Sequence, residues 1–207
     1  MVPVQPVDIR QSQGESPSVL TEIFQDGVNL AVWKRLLPAQ VEDFAALAVS
    51  LGQSLTDQRV LDVNEHEAPL IPGLLGEAAD LQGYESFVAD VRWLVSAYTC
   101  LLGARRVGLR LRVLQGAMCP RFHVDNVPLR LLTTYVGPGS EWLEEGAIQR
   151  AGLHLAPAAV DNIRSLQAGD VAVLKGEKWV GNEGAGLVHR SPASQERRLL
   201  LSLDWLA

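Results

Sequence analysis

The chain has 207 residues, of which 47% are hydrophobic, and this composition is typical of a globular protein that buries one sizeable core. Its 24 acidic and 18 basic side chains give a net charge of −6, which argues against a nucleic-acid-binding protein. No apolar run approaches the roughly 20 residues that cross a bilayer, and the N-terminus lacks a signal-peptide pattern. We therefore expect a cytoplasmic protein with no membrane contact.

The first half of the chain is predicted to be mainly helical. Residues 1–18 combine prolines with polar side chains and are predicted to form a flexible arm. The apolar run Val28 to Trp33 predicts a strand, and the spacing of apolar residues from Pro38 to Leu51 predicts a helix. A broad apolar stripe from Phe87 to Leu102, followed by Gly103, predicts the longest helix.

The apolar pattern changes from a helical to a strand-like period at about residue 105. Val107, Leu109, Leu111 and Val113 alternate with mostly polar or small residues, which predicts a half-buried strand. Glycine-containing turns separate further predicted strands, which are Arg130 to Val136, Val171 to Leu174, Leu187 to His189 and Arg198 to Trp205. Short strands joined by turns indicate an antiparallel sandwich or barrel.

A possible metal site begins with His123 and Asp125, which lie two residues apart and so share one face of an extended strand. An imidazole and a carboxylate in this arrangement can bind one divalent metal ion, with a third ligand from a distant strand. His189, after the glycine-rich turn 181–186, is the natural third ligand. The tripeptide alone carries little weight, because chance produces roughly one fifth of an occurrence per chain.

The order of these elements resembles the core of the iron(II)/2-oxoglutarate-dependent dioxygenase superfamily. There, a His-x-Asp pair, a later histidine and then a basic residue follow one another along a double-stranded β-helix, and the resemblance covers residues 107–205. It implies an α+β fold in which an N-terminal helical layer packs on a C-terminal cupin-like double-stranded β-helix (jelly-roll) core. The parts of this one compact unit are the arm 1–18, the helical layer with short strands 19–104 and the core 105–207.

The resemblance also implies roles for individual residues. The implied iron(II) ligands are His123, Asp125 and His189. The basic residue about nine positions after the second histidine binds the distal carboxylate of 2-oxoglutarate, which points to Arg198, although its neighbour Arg197 is the alternative if the register slips by one. Ser202, on the same face as Arg198, and Tyr135, on an earlier strand, are implied to contact the cosubstrate as well.

A zinc-binding protein is the alternative hypothesis, either a metal-homeostasis accessory or a zinc hydrolase. Cys119 precedes His123 by four residues, and a bend at Pro120 would bring its thiolate closer to His123 and His189. A thiolate with imidazoles favours zinc, whereas two histidines and a carboxylate favour iron(II). Across nearly its whole length, the chain also resembles an uncharacterised bacterial family often encoded near zinc-homeostasis genes.

The sequence thus predicts an iron(II)- and 2-oxoglutarate-dependent oxygenase and keeps the zinc protein as its alternative. The expected substrate is a small molecule or a protein, and no motif identifies it. Six arginines between residues 105 and 130 could attract an anionic ligand, although solvated strand faces and ion pairs with the acidic first half are the favoured explanation.

Overall fold

A computed structural model describes residues 8–64, 66–147, 150, 153 and 160–206. Its strands are β1 (Arg10–Gly14), β2 (Val28–Trp33), β3 (Thr56–Asp62), β4 (Arg106–Gln115), β5 (Leu129–Val136), β6 (Glu141–Leu143), β7 (Ile163–Ser165), β8 (Val171–Lys175), β9 (His189–Arg190) and β10 (Arg197–Trp205). Its α-helices are α1 (Ala39–Ser50) and α2 (Tyr84–Leu102), and a 3₁₀ helix spans Pro17–Phe24. Within the described ranges, neither helix has the length and apolar character needed to span a membrane.

Two sheets build the core of the protein. The large sheet has seven strands in the order β1-β2-β8-β5-β10-β4-β3, and the small sheet has the order β7-β6-β9. His123 extends the small sheet, because it forms an antiparallel bridge with His189. All neighbouring strands pair antiparallel except β1, which pairs parallel with β2. This is the predicted jelly-roll architecture with helices on one side, so the predicted fold class is confirmed.

The alternation of side chains along β10 separates two apolar regions. Leu199, Leu201 and Leu203 are fully buried in the cluster that includes the helices. Leu200 belongs instead to the cluster between the two sheets, together with Trp142. The even-numbered residues of β10 therefore face the space between the sheets, while the odd-numbered ones face the helices.

Helices α1 and α2 cover the outer face of the large sheet. The buried residues of α2 follow the predicted stripe, and they include Phe87, Val91, Leu94, Val95 and Tyr98. The helix begins after Gly83, where a Cβ atom would lie only 2.0 Å from the carbonyl oxygen of Gln40. It ends at Gly103, whose φ of 59° gives the left-handed cap that the sequence predicts.

A buried ion pair fastens α2 to the large sheet. Asp90 on α2 accepts two hydrogen bonds from the Arg35 guanidinium, at 2.6 and 3.0 Å, and one from the Tyr135 hydroxyl at 2.7 Å. The Nε atom of Arg35 donates to the carbonyl oxygen of Gly169 at 2.9 Å. Burial raises the pKa of Tyr135 well above its ordinary value, so its hydroxyl stays protonated and donates.

The large sheet takes strands from both sides of the boundary expected near residue 104. Residues 10–14, which the sequence assigned to a flexible arm, form β1 and pair with β2. Strands β2 and β3, from the expected helical layer, pair with β8 and β4. The edges of the jelly-roll sheet need hydrogen-bonding partners, and the N-terminal part of the chain supplies them.

We expect the substitution Asp90→Asn to lower the free energy of unfolding by about 3 kcal/mol, because it leaves the Arg35 guanidinium buried without a counter-charge. Tyr135→Phe removes one hydrogen bond but keeps that ion pair, so its cost should be about 1 kcal/mol. Urea denaturation of both variants measures the difference. Equal losses in the two variants would contradict the dominant role of the ion pair.

Candidate metal centre

His123, Asp125 and His189 bring one ligand atom each within 4.8 Å of one another. The Nε2 atom of His189 lies 3.4 Å from Oδ2 of Asp125, and the Nε2 atom of His123 lies 3.7 Å from Oδ1. The side chain of His189 is buried, whereas that of His123 is 36% exposed, so solvent reaches the cluster from one side. Two nitrogen atoms and one carboxylate oxygen can hold a metal ion and leave other coordination positions open.

Backbone pairing places the two histidines opposite each other. The amide of His123 donates to the carbonyl oxygen of His189, and the amide of His189 donates to that of His123, both at 3.0 Å. Residues paired in this way carry their side chains on the same face of a sheet. Asp125 follows two residues later and joins the two imidazoles, as its spacing from His123 predicts.

Gly176, directly after β8, fixes the segment that carries Asp125. A Cβ atom at this position would lie 2.2 Å from the carbonyl oxygen of Val127 and 2.5 Å from that of Asp125, so a larger residue would push the segment away. The amide of Glu177 also donates to the Asp125 carbonyl oxygen at 2.9 Å. The large sheet thereby positions a ligand that lies outside any strand.

Both imidazoles have their Nδ1 atoms bound to backbone carbonyl groups. Nδ1 of His123 lies 2.9 Å from the carbonyl oxygen of Arg121, and Nδ1 of His189 lies 3.2 Å from that of Leu187. A carbonyl oxygen only accepts, so these contacts place a proton on Nδ1, and Nε2 is the nitrogen of each ring that faces Asp125 and is directed toward a metal ion. Metal-binding histidines commonly have this arrangement, because the second hydrogen bond orients the ring.

Arg130 holds the Asp125 carboxylate from the side of β5. Its Nη1 atom donates to Oδ2 of Asp125 at 2.6 Å, and its Nε atom donates to Oδ1 of Asp204 at 2.6 Å. Burial by itself would raise the pKa of Asp125, but His189 and then Arg130 outweigh burial and lower that pKa to about 2. The carboxylate is therefore ionised at neutral pH, as a metal ligand must be.

Arg198 points into the cavity between the two sheets, which is also lined by His123, His189 and Ser202 and is called the inner cavity below. Arg198 is only 1% exposed, and its Nη2 atom donates to Oγ of Ser191 at 3.1 Å. Its Nε and Nη1 atoms are buried and have no hydrogen-bond partner among the described residues. Burial lowers the pKa of this guanidinium to about 10, so it is still charged at neutral pH.

The structure distinguishes Arg198 from its neighbour Arg197. The Nη2 atom of Arg197 donates to Oε1 of Gln115 at 3.2 Å, on the opposite face of the strand from the inner cavity. Ser202 lies four residues after Arg198 on β10, on the same face of the strand, and lines the inner cavity with it. Arg198 is thus the arginine that faces the metal ligands.

Tyr135, for which the sequence predicts a contact with a cosubstrate, is not among the residues that line the inner cavity. Its side chain points to the helices because it shares the odd-numbered face of β5 with Leu129 and Leu131, and its hydroxyl there donates to Asp90. Its role there is to hold α2.

Cys119 lines the inner cavity but is not part of the cluster of metal-ligand atoms, so the predicted set of Cys119, His123 and His189 does not form. Its carbonyl oxygen accepts from the Ser191 amide at 2.9 Å, and its amide donates to the Ser191 hydroxyl at 3.1 Å. Ser191 lies two residues beyond His189, so this pairing displaces Cys119 from the centre by about 7 Å along the strand.

Arg130 and Asp204 are functional residues that the sequence analysis missed. They lie directly opposite each other on β5 and β10, and Asp204 has the same alternation as Arg198 and Ser202. A buried carboxylate on the inner face needs a nearby cation, and this requirement could have indicated Arg130 as the partner of Asp204. Applying this requirement needs the pairing register of β5 and β10, which the sequence alone does not give.

We predict that Arg130→Met weakens the binding of divalent metal ions by about 10–100-fold, because Asp125 loses the group that orients it. Competition with a chelating dye measures the affinity. Arg110→Met is the matched control, because Arg110 pairs with Asp204 and has no contact with Asp125. If both variants lost the same affinity, the effect would be a general one of the charged network and not the positioning of Asp125.

Comparisons with known proteins identify the family and the fold. A family model described as "Protein of unknown function (DUF1826)" matches residues 14–204. No curated protein sequence matches the chain. The dioxygenase for auxin oxidation 1 from Arabidopsis thaliana, solved as a binary complex with 2-oxoglutarate, has a TM-score of 0.57 and 9% identity over 96% of this chain and 92% of its own.

The rice dioxygenase for auxin oxidation has a TM-score of 0.50 and 13% identity, and the match covers 96% of this chain and 83% of that one. At such low identities, these likenesses establish the fold alone. The chain therefore belongs to the DUF1826 family and has the cupin-like dioxygenase fold.

Proposed function

We propose that this protein is an iron(II)- and 2-oxoglutarate-dependent oxygenase whose metal ion is held by His123, Asp125 and His189. The observation that carries the proposal is that Arg198 is buried with unpaired hydrogen-bond donors. This buried guanidinium lies in the same cavity as the metal ligands and has two donors without a partner among the described residues. Buried polar groups are almost always satisfied, so an unpaired pair of donors indicates a ligand.

2-Oxoglutarate carries two groups that complement the residues of this cavity. Its 2-oxo-acid end can chelate a metal ion, and its distal carboxylate can accept the parallel hydrogen bonds that a guanidinium donates. Arg198 supplies those donors, and the Ser202 hydroxyl lines the cavity beside it. The Arabidopsis dioxygenase of the same fold, solved with 2-oxoglutarate, supports this choice of cosubstrate.

The donor set favours iron(II) over zinc. Two imidazole nitrogens and one carboxylate, without a thiolate, form the type of site that non-haem iron(II) oxygenases use. Cys119 stands outside this set, and this removes the main argument for the zinc alternative. When bound, iron(II) and 2-oxoglutarate together activate dioxygen and supply the oxidising power.

The protein itself supplies orientation and part of the shielding from water. The carbonyl groups of Arg121 and Leu187 orient the imidazoles, and Arg130 orients the Asp125 carboxylate. Leu132 and Leu200 give the inner cavity apolar walls that exclude water from the reacting groups. In this way a substrate that enters from the exposed side of His123 meets the metal next to the cosubstrate.

The test is an anaerobic titration of the iron(II)-loaded protein with 2-oxoglutarate, followed by calorimetry and by the visible charge-transfer band of the chelate. We expect Arg198→Gln to weaken 2-oxoglutarate binding at least about 100-fold, because two charged hydrogen bonds are lost. Arg197→Gln is the matched control and should change the affinity less than about twofold, since Arg197 bonds to Gln115 outside the cavity.

Unchanged 2-oxoglutarate affinity in Arg198→Gln would overturn the assignment of the cosubstrate site.

Cys119→Ser separates the two functions that the sequence leaves open. An oxygenase with the three proposed ligands keeps its metal and its charge-transfer band in this variant. A protein that is isolated with stoichiometric zinc, gives no band and loses its metal on Cys119→Ser would instead be a zinc protein.

A further inference from the structure

Arginines dominate the polar lining of the inner cavity. These residues are Arg110, Arg112, Arg130, Arg190 and Arg198. In the described part of the chain, Arg110 and Arg130 pair with Asp204, and Arg190 pairs with Glu141. The remaining two, Arg112 and Arg198, have no carboxylate within 4.0 Å among the described residues, so the cavity holds two uncompensated cations.

Arg112 is bound by neutral groups alone. Its Nη2 atom donates to Oε1 of Gln58 at 2.9 Å, and its Nη1 atom lies 3.4 Å from Sδ of Met118. Its Nε atom is buried and has no partner among the described residues. An amide oxygen and a thioether do not compensate a positive charge, so Arg112 keeps both its charge and a donor for a ligand.

The strand register places Arg112 beside Arg198 on the cavity wall. Arg112 on β4 pairs with Leu200 on β10, which is two residues after Arg198. Diagonal neighbours of this kind have their Cβ atoms about 7 Å apart. Two separate anionic groups can therefore bind side by side, one at each guanidinium.

One 2-oxoglutarate molecule does not neutralise the inner cavity. The five arginines and a divalent ion carry seven positive charges. The carboxylates paired with this set, which are Asp125, Asp204 and Glu141, carry three negative charges, and 2-oxoglutarate adds two. Two positive charges remain on the loaded site, and they attract an anion and repel a cation.

We infer that Arg112 binds an anionic group of the substrate, so that the oxygenase acts on a small acid that carries a carboxylate, phosphate or sulfate. The term substrate rests on the proposed function, whereas the anion site itself rests on the pairing of the arginines. The acid is a small molecule because Arg112 belongs to the wall of the cavity, on the inner face of β4. Arg112 is thereby a specificity-determining residue.

The experiment measures the binding of matched anionic and neutral probes to the protein loaded with iron(II) and 2-oxoglutarate without oxygen. The pairs are acetate with acetamide, benzoate with benzamide, and phenyl phosphate with phenol, and calorimetry gives their dissociation constants. We expect at least one anion to bind about 10-fold more tightly than its neutral partner. Arg112→Gln should abolish this preference and change 2-oxoglutarate affinity less than about twofold.

Arg110→Gln is the matched control, because Arg110 lines the same cavity but already has Asp204 as its partner. This variant should keep the preference for the anion. The inference is overturned if charged and neutral members of every pair bind equally, or if Arg112→Gln loses as much 2-oxoglutarate affinity as Arg198→Gln. The second result would mean that both arginines hold the cosubstrate.

Failure of the proposed function gives a different result. A wild-type protein that binds no 2-oxoglutarate, but binds an anion in a way that depends on Arg112, would refute the oxygenase and support the anion site. A protein that binds 2-oxoglutarate through Arg198 and shows no preference among the probes would support the oxygenase and refute the acidic substrate.

Discussion

The register of β10 is the constraint on which both the fold and the candidate site depend. Its odd-numbered leucines pack under the helices, and its even-numbered residues, Arg198 to Asp204, face the inner cavity. A slip by one residue would turn Arg198 toward α1 and α2 and place three leucines among the cavity arginines. The hydrophobic contact with the helices therefore also fixes the position of the guanidinium that carries the proposed function.

Charge pairing then determines which polar groups of the interior are structural. On the inner face of β5, Arg130 links Asp125 to Asp204, and on its outer face Tyr135 joins the ion pair of Asp90 with Arg35. Both networks are internally satisfied, and such groups serve positioning and stability. Because paired charges are the rule in this interior, the unpaired donors of Arg112 and Arg198 stand out as the groups that are available to bind a ligand.

Local pattern was sufficient to predict the long helix α2 and the pair of His123 and Asp125, because each depends on spacing over a short stretch of chain. The prediction of His189 came instead from the order of motifs in the family that the sequence resembles. Features that depend on pairing between distant strands could not be predicted. Tyr135 shares the outer face of β5 with Leu129 and Leu131, and which face of β5 is turned to the metal ligands depends on how the two sheets pack. Strand β1 likewise has a polar sequence, and it is a strand because the edge of β2 pairs with it.

The unpaired arginines also connect ligand binding with stability. A buried donor without a partner costs about 1–3 kcal/mol, and Arg198 has two such donors while Arg112 has one. The buried leucines of β10, Leu199, Leu201 and Leu203, contribute apolar burial that offsets this cost. An anion that satisfies these donors removes the cost in the folded state alone. Ligand affinity and resistance to unfolding therefore arise from the same atoms, and a substitution that relieves the unpaired charge is expected to stabilise the fold while it removes the site.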